Sequence, residues 1–402
     1  MTVVDSKQSW IVAGAVLAIT TIGFGAPWIT TVAMIEIAKE VGGLRNIPAL
    51  STSIAWLGAG VGGVLMGHMY RRFGARAIVI WGAVMLGTGL AVSSAGPSVP
   101  LLVGHGLFIG LLGLGAVNAP MYIYISQWFD RRRGSALALI SSGTYLAGAL
   151  WPPVFELSIT RFGWRQTMLM YGVLVVIAVV LLAVVFLKTA PEVSSHGGEA
   201  PSTGPRFRIG VPANIAFAML CVAAVLCCIP MAMPQQHMVA FCGDLGISRS
   251  TGAMLLSVLL GTAFLSRQLG GLISDRLGGL KTIFICSGAQ AVALTCFIFT
   301  QNETGLFFVA AVYGLGFSPI VPAYALTIRE LFDVQEAHWR IPIVLFFTAS
   351  GMALGGWLAG LLYDFFGSYG PAFALGVAAN ILNFAIIGFL VSRQSEPEAQ
   401  PG

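Results

Sequence analysis

Long apolar runs recur along almost the whole chain, and short breaks rich in glycine, proline or charged residues separate them. An apolar helix of about 20 residues is long enough to cross the hydrocarbon core of a bilayer. The pattern therefore predicts an all-α membrane protein with twelve transmembrane helices. We place these helices at 10–36, 47–69, 77–95, 100–127, 134–158, 166–187, 212–241, 250–274, 281–300, 305–328, 341–363 and 370–392.

The longest polar stretch, residues 188–211, is rich in proline, glycine and serine. Such a composition is typical of a flexible linker. We expect it to join two bundles of six helices, one at 1–187 and one at 212–393, with a polar tail at 394–402.

The composition supports a membrane protein, because 57% of the residues are hydrophobic and only 9% are charged. Soluble domains carry about 25% charged residues. The net charge is +5, but the basic residues lie in short breaks between apolar runs, which argues against a nucleic-acid partner. The six cysteines have no C-x-x-C spacing and no histidine cluster beside them, so we expect apolar core residues and no metal or other cofactor.

Lysine and arginine concentrate in alternate breaks, for example at 71–76 and 131–133. Because cytoplasmic loops retain positive charge, this bias predicts that both termini are cytoplasmic. The first apolar run is longer than a signal-peptide core and lacks an A-x-A exit, so we expect a retained helix. The protein is predicted to be a multi-pass component of the cell's inner or plasma membrane.

A pattern of glycine and arginine follows both the second and the eighth predicted helix. The two copies lie 204 residues apart and pair Gly67, Arg72 and Gly74 with Gly271, Arg276 and Gly278. A repeat of half the chain length, in the same orientation, predicts two parallel halves around an axis along the membrane normal. This architecture is typical of transporters.

The segment from Gly271 to Lys281, GLISDRLGGLK, resembles the loop motif of the major facilitator superfamily, G-x-x-x-D-R-x-G-x-x-(R/K). The resemblance implies that family's fold and transport by alternating access, and it gives Asp275 a part in latching the cytoplasmic gate. The N-terminal copy has Arg71 where the family usually has Asp. The latch is therefore expected in the C-terminal half.

Three segments, 126–148, 234–248 and 266–276, are similar to the monocarboxylate and oxalate/formate porter branch of that superfamily. The first contains WFDRRRGSALA, beside the branch pattern R-W-F-x-x-(K/R)-R-G-x-A-x-G. The last places Arg267 eight residues before Asp275. This narrower resemblance implies an organic-anion porter rather than a sugar or drug carrier.

Arg267 is the one basic residue that we place inside a predicted helix. A charged arginine at the bilayer centre costs at least ~2.5 kcal/mol, so it should face a cavity or a partner. No acidic residue lies deep in any predicted helix, and a planar guanidinium suits an incoming carboxylate. In the resembling branch the arginine at this position grips the substrate carboxylate. The alternative is an arginine that snorkels to the interface or pairs in a gate.

Two residues that accompany this arginine in the resembling porters are absent. Thr348 falls where oxalate-type carriers have a lysine, and Ala263 falls where proton-coupled animal carriers have an aspartate. A single cationic group favours a monoanion as substrate. Alanine cannot bind a proton, so position 263 offers no group for proton coupling. His237 is the better of two helix-embedded histidines as a proton carrier, the other being His105. Otherwise the substrate carries its own proton, or one anion exchanges for another.

Several further side chains are candidates for the pocket. Asn118 and Tyr122 share one face of a predicted helix, and the resemblance places polar groups of this helix and the next opposite Arg267. Each has an alternative as an interhelical hydrogen-bonding or packing residue. The carboxylates Glu36, Glu156 and Asp364 are expected to be solvated at the membrane interface. The remaining pocket candidates are Tyr145, Phe317, Tyr324, Trp28 and Thr348.

We predict a secondary transporter of a small organic monoanion, coupled to protons or to anion exchange. The alternative is an exporter of neutral or drug-like molecules. No intramembrane catalytic pair is visible, so an enzyme is not expected. The expected partners are the organic anion, protons in the symport case and the lipid bilayer, with the protein a monomer.

Overall fold

A computed structural model describes residues 4–188, here the N-terminal half, and residues 207–395, here the C-terminal half. Both halves are almost entirely helical. The N-terminal half contains α1 (Lys7–Gly23), α2 (Ala26–Val32), α3 (Met34–Glu40), α4 (Asn46–Ser94), α5 (Val99–Val103), a π-helical segment (Gly104–Leu114), α6 (Gly115–Val117), α7 (Ala119–Ser126), α8 (Arg133–Ser141) and α9 (Gly143–Phe186). The C-terminal half contains β1 (Arg208–Ile209), α10 (Ala213–Asp244), α11 (Arg249–Leu277), α12 (Gly279–Phe299), α13 (Glu303–Phe317), α14 (Ile320–Leu331), α15 (Val334–Phe366), α16 (Gly370–Ser392) and β2 (Gln394–Ser395).

Ten helical stretches among the described residues are long and apolar enough to cross a membrane. Two of them are far longer than one crossing needs, Asn46–Ser94 with 49 residues and Arg133–Phe186 with 54. At 1.5 Å per residue such stretches would reach about 75–80 Å, against a hydrocarbon core of about 30 Å. Each is interrupted by a glycine whose backbone angles are not helical: Gly74 has φ 78° and Gly163 has φ 79°. Each long stretch is therefore two helices that meet at a kink.

Gly74 and Gly278, the paired glycines of the sequence repeat, adopt almost the same backbone conformation. Gly74 has φ 78° and ψ 170°, and Gly278, between α11 and α12, has φ 81° and ψ 161°. Side chains disfavour this region of φ, whereas glycine enters it freely. The repeat therefore extends from the residue pattern to the backbone geometry of the turn.

Three membrane-spanning stretches are broken beside a proline. α1 ends at Gly23 before α2 begins at Ala26, α6 and α7 are separated at Asn118, and α13 ends at Phe317 before α14 begins at Ile320. A proline lies at or near each break. Irregular backbone at membrane depth is tolerated where protein or a cavity surrounds it. These breaks are therefore the places where polar backbone groups become available in the interior.

The two halves meet mainly where α4 packs against α15 and α9 against α11, with smaller contacts of α2 and α3 with α10 and of α8 with α11. Outside the helices, β1 pairs antiparallel with β2 and joins the end of the predicted linker to the start of the predicted tail. The rest of that linker, 189–206, and of the tail, 396–402, lies outside the described residues.

Candidate substrate-binding site

Arg267 lies half-buried in α11, and its guanidinium reaches the N-terminal half. Nη2 donates hydrogen bonds to the Tyr145 hydroxyl at 2.7 Å and to the Ser318 carbonyl at 3.1 Å. The guanidinium carbon also lies 4.7 Å from the centre of the Tyr145 ring, a cation–π arrangement. Arg267 therefore joins α9 of one half to the α13–α14 break of the other.

The carbonyl that accepts from Arg267 is available because of a proline. Pro322 stands four residues after Ser318 and has no N–H, so the helical hydrogen bond to the Ser318 carbonyl cannot form. The same local chemistry recurs in α10, where Pro234 leaves the Pro230 carbonyl free and the Tyr313 hydroxyl donates to it at 2.7 Å. The break in the helix thus supplies one fixed acceptor for the guanidinium.

Among the described residues, Arg267 forms no ion pair, and its Nε is buried without a hydrogen-bond partner. Two arginines that are more deeply buried do have a carboxylate partner. Arg340, which is 1% exposed within α15, pairs with Glu336 at 3.1 Å, and the 7% exposed Arg45 pairs with Asp244 at 2.6 Å. Our expectation that Arg267 is the one basic residue inside a helix was therefore wrong, because α15 begins earlier than predicted and includes Arg340. Of the arginines that the structure describes as buried or half-buried, Arg267 is the one without a carboxylate partner.

Aromatic side chains surround the guanidinium. The Tyr145 ring meets the buried Phe317 ring edge-on, with centroids 5.8 Å apart and an interplanar angle of 75°. Tyr122, on α7, lies within electrostatic range of Arg267. The structure thus brings together Arg267, Tyr145, Tyr122 and Phe317, four of the predicted pocket residues.

Asn118 occupies the break between α6 and α7, with φ −102° and ψ −89°, and it lines a cavity of about 1010 Å³. The cavity lies between α4, the helices around Asn118, and α15. Its wall is mostly apolar and carries two polar side chains, Asn118 and His68. The other lining residues are Ala59, Gly60, Val61, Gly63, Val64, Leu65, Leu111, Ala119, Ile341, Pro342, Leu345, Phe346 and Ala349.

His237 is fully buried away from Arg267, in contact with α15 and the start of α16. Its Nε2 lies 2.8 Å from the Gly356 carbonyl, and its Nδ1 lies 2.8 Å from the Tyr369 hydroxyl. Because a carbonyl oxygen only accepts, Nε2 carries the proton, and Nδ1 accepts from Tyr369. Both ring nitrogens therefore have partners that link α10 to α15 and to the residue before α16, and the role of His237 as a proton carrier stays a prediction.

The remaining predicted pocket residues are also separate from the guanidinium. The buried Tyr324 donates to Asn383 at 3.2 Å, and the Thr348 hydroxyl donates to the Leu345 carbonyl of its own helix at 2.7 Å. Trp28 is buried near Gly148 and Leu260, and its indole N–H has no hydrogen-bond partner among the described residues. None of these three contacts reaches Arg267.

The residues of the loop motif lie at the ends of α4 and α11. Arg72 is exposed and stacks over Phe73 at 5.4 Å, and Arg276 is exposed as well. The side chain of Asp275 lies outside the described residues, as does the environment of Gly271. A different carboxylate is buried beside the motif: Glu330 accepts a hydrogen bond from the Gly279 backbone N–H at 2.8 Å. Gly67, on α4, packs loosely against Ile123.

Sequence reasoning missed a cluster at the opposite end of the bundle, centred on Arg45. Both terminal nitrogens of Arg45 bond to Asp244 of the other half, each at 2.6 Å. The backbone N–H groups of Arg45 and Asn46 donate to Asp364 at 2.8 and 3.0 Å. Burial alone would lower the pKa of Arg45, but the hydrogen bonds to Asp244 and Tyr369 outweigh it and raise this pKa above the ordinary arginine value.

Arg249, in the C-terminal half, makes the corresponding contacts with side chains of the N-terminal half. It bonds to Glu36 and, at 3.0 Å, to the Thr160 hydroxyl, and its Nε lies 3.9 Å from Glu156. We expected Glu36, Glu156 and Asp364 to be solvated at the interface. All three are partly exposed, and groups of the opposite half also reach them: the Arg249 side chain reaches Glu36 and Glu156, and backbone N–H groups reach Asp364. The signal was present in the sequence, since Arg45 and Arg249 differ by 204 residues, the spacing of the loop-motif repeat. We call these contacts of Arg45 and Arg249 the arginine latch.

The sequence profile of the Major Facilitator Superfamily matches residues 11–236 and 215–402. The chain belongs to this superfamily, and it is therefore a membrane transporter and not an enzyme.

Individual relatives are distant. The chain is 22% identical over 342 residues to "MFS-type transporter 1" of Ophiocordyceps sp. (strain BCC 1869), covering 83% of this chain and 74% of that protein. It is 25% identical over 366 residues to "Monocarboxylate transporter 13" of Bos taurus, covering 88% and 81%. Among solved structures, a bacterial homolog of the human lysosomal transporter Spinster, in an inward-facing and unoccupied conformation, superposes with a TM-score of 0.71 at 14% identity over 98% of this chain and 100% of that one. The predicted family is thus confirmed.

Proposed function

We propose that this protein is a secondary transporter that moves a small organic monoanion by alternating access, with Arg267 binding the substrate carboxylate. The observation that carries the proposal is the contrast among buried arginines. Arg45 and Arg340 have carboxylate partners, whereas Arg267 has none among the described residues. The Arg267 Nε is also buried without a hydrogen bond, as are Nε and Nη1 of Arg340. An uncompensated buried charge is costly, and an arriving carboxylate relieves that cost.

The single unpaired charge also supports a monoanion rather than a dianion. Beside Arg267 the structure places phenol hydroxyls and aromatic rings, with Tyr145 in direct contact. A second carboxylate would have to be buried without a cation, which is unfavourable. Monocarboxylate transporters among the distant relatives support the same substrate class.

In the proposed topology the chain crosses the membrane twelve times, with both termini in the cytoplasm. The kinks at Gly74 and Gly163 support this count, because each divides an overlong helix into two segments of membrane length. The positive charge of alternate loops supports the orientation. The arginine latch then lies at the outer face, and the predicted linker at the cytoplasmic face.

The proposed conformation is closed to the outside and open to the inside. The arginine latch ties the two halves together at one end, while the cavity beside Asn118 lies toward the other end of the same helices. The solved Spinster homolog, described as inward-facing, has a similar overall fold. The apolar cavity wall equally suits an exporter of neutral or drug-like molecules, and the role of Arg267 separates the two functions.

The test is counterflow of radiolabelled monocarboxylates in proteoliposomes containing the full-length protein. We expect exchange by the wild type, loss of more than about 90% of it in Arg267→Gln, and little recovery in Arg267→Lys, because lysine lacks the planar fork. The exposed Arg161→Gln is a matched control that removes an arginine elsewhere and should exchange normally. Normal exchange by folded Arg267→Gln protein would overturn the proposal and favour the exporter.

A further inference from the structure

The cavity beside Asn118 has a property that a carrier of very small hydrophilic acids would not need. It is an open cavity of about 1010 Å³, and its wall is built mainly from alanine, glycine, valine, leucine and isoleucine. Sites for drug-sized ligands occupy about 300–1,000 Å³. The cavity is therefore large enough for a drug-sized hydrophobic molecule and much larger than a two- or three-carbon acid requires.

Small residues on facing helices create this space. Gly60 on α4 faces Ala349 on α15, and a Cβ added at Gly60 would lie 3.9 Å from the Ala349 Cβ, an ordinary contact distance. Ala59, Gly63 and Ala119 line the same cavity. Larger side chains at Gly60 or Ala349 would therefore project into the cavity and reduce its volume.

One helix, α7 with the break before it, carries residues of both the cavity and the proposed carboxylate site. Asn118 lines the cavity, and Tyr122, one helical turn or about 6 Å further on, lies within electrostatic range of Arg267. Among the described residues the Asn118 side chain makes no hydrogen bond within the protein. An acid whose carboxylate binds Arg267 can thus extend past Tyr122, meet Asn118, and place the remainder of the molecule in the cavity.

We propose that the cavity holds the hydrocarbon part of the substrate, so that the transported monoanion is an amphipathic carboxylic acid with a medium-length alkyl chain or an aryl group. This inference rests on the proposed function. Apolar walls favour apolar contents and leave a compact hydroxylated acid without partners for its polar groups. Asn118 is the polar side chain placed to recognise one oxygen or nitrogen between the carboxylate and the hydrocarbon.

Binding of a homologous series to purified protein in nanodiscs tests this directly, with acetate, butyrate, hexanoate and octanoate as probes. Each buried methylene should tighten binding about fourfold, the value for full transfer of a CH₂ group from water. Arg267→Gln protein measures the non-specific partitioning of each acid, which is subtracted. Gly60→Leu and Ala349→Leu should weaken octanoate binding at least about tenfold and butyrate binding less than about twofold, because about two methylenes lose their place.

Gly14→Leu is the matched control, because Gly14 lies on the exposed face of α1 with no atom within 4 Å of an added Cβ. It should leave the whole series unchanged. A flat series in the wild type, with Arg267 still required, would overturn this inference and leave the proposed function intact. Failure of every acid to bind would overturn both. An equal loss of all acids in the two cavity variants, or displacement of a bound lipid with no change in acid binding, would also overturn the inference.

Discussion

Arg45 and Arg249 lie 204 residues apart, at matching positions of the two repeats, and each guanidinium crosses to carboxylates of the opposite half. Arg45 reaches Asp244 at the end of α10, and Arg249 reaches Glu36 in α3. Asp364 accepts hydrogen bonds from the backbone N–H groups of Arg45 and Asn46, and Thr160 accepts one from Arg249. These two acceptors are also 204 residues apart. The arginine latch is therefore built twice, once from each half, and closes one end of the bundle with approximate twofold symmetry.

Breaking the latch should open that end of the protein. In Arg45→Gln, Asp244 loses its bidentate arginine partner, and the two halves lose this ion pair between them. We expect increased labelling of a cysteine placed at Ser53, a position on α4 that is 2% exposed, by a membrane-impermeant maleimide. Arg165→Gln is the matched control, because Arg165 pairs with Glu40 inside the same half.

A double-mutant cycle between Arg45→Gln and Asp244→Asn measures the latch energy itself. Side chains in direct contact usually couple by about 0.5–3 kcal/mol, and a value in this range is expected for thermal unfolding of the two single variants and the double variant. Additive effects would mean that the pair contributes no interaction energy, and the latch would then be a consequence of closure rather than its cause.

Tyr145→Phe should separate the two contacts that Tyr145 makes with Arg267. The substitution removes the 2.7 Å hydrogen bond but keeps the ring beneath the guanidinium. Hydrogen bonds to charged groups contribute about 1.5–3 kcal/mol, so we expect a change of about tenfold or more in the apparent KM for the carboxylate. Tyr324→Phe, which removes a hydroxyl from the separate Asn383 contact, should leave KM near the wild-type value.

Pro322→Ala should restore a backbone N–H four residues after Ser318. That N–H would compete with Arg267 for the Ser318 carbonyl, now 3.1 Å from Nη2. Removing a proline from a helix interior relieves up to about 3 kcal/mol of strain and lost bonding, so we expect a higher unfolding temperature together with weaker transport. Pro153→Ala in α9 is the comparison, and it should change stability without changing the concentration dependence of uptake.

Acid should weaken the contact between Glu40 and the segment around Arg165. The hydrogen bond from Arg165, followed by that from Trp164, holds the pKa of Glu40 below its ordinary value of 4.5 despite partial burial. A depressed carboxylate pKa adds stability above about pH 4.5, and this stability is lost as the pH falls through the folded pKa. Because both groups are partly exposed, the contribution should stay below about 1 kcal/mol.

Thermal unfolding between pH 6 and pH 3 checks this prediction. Glu40→Gln should lower the unfolding midpoint slightly at pH 6 and flatten its decline with acid. An identical pH profile in wild type and Glu40→Gln would show that the pair adds nothing to stability. Transport at neutral pH should be unaffected, since the contacts of Glu40 are with Trp164 and Arg165 and not with Arg267.

Several central features were predictable from local patterns. The loop-motif copies at Gly74 and Gly278 identified the repeat, and both glycines have the same unusual backbone. The prediction of the superfamily is confirmed by the match to its sequence profile, and the transporter class follows. Arg267 and Tyr145 were predicted to face the same pocket, and they are in direct contact. The twelve crossings and the residue roles stay predictions.

Other features could not be read from local patterns. His237 looks like a proton carrier in a helix, yet a carbonyl and a tyrosine hydroxyl satisfy both of its nitrogens. Glu36 and Asp364 look like solvated interfacial acids, yet partners from distant sequence positions reach them. In each case the partner lies more than a hundred residues away, and no short-range pattern encodes it.

By itself, the sequence determined the all-helical class, the family and the internal repeat. These depend on hydrophobic length, glycine conformation and local motifs, all of which act over a few turns of chain. Tertiary structure alone decided which charges are paired. Arg45 and Arg249 contact carboxylates across the boundary between the halves, whereas Arg267 contacts a hydroxyl, a carbonyl and a ring and no carboxylate among the described side chains. The pairing of a buried charge depends on which groups packing brings within about 3 Å, and that is a property of the folded assembly of helices.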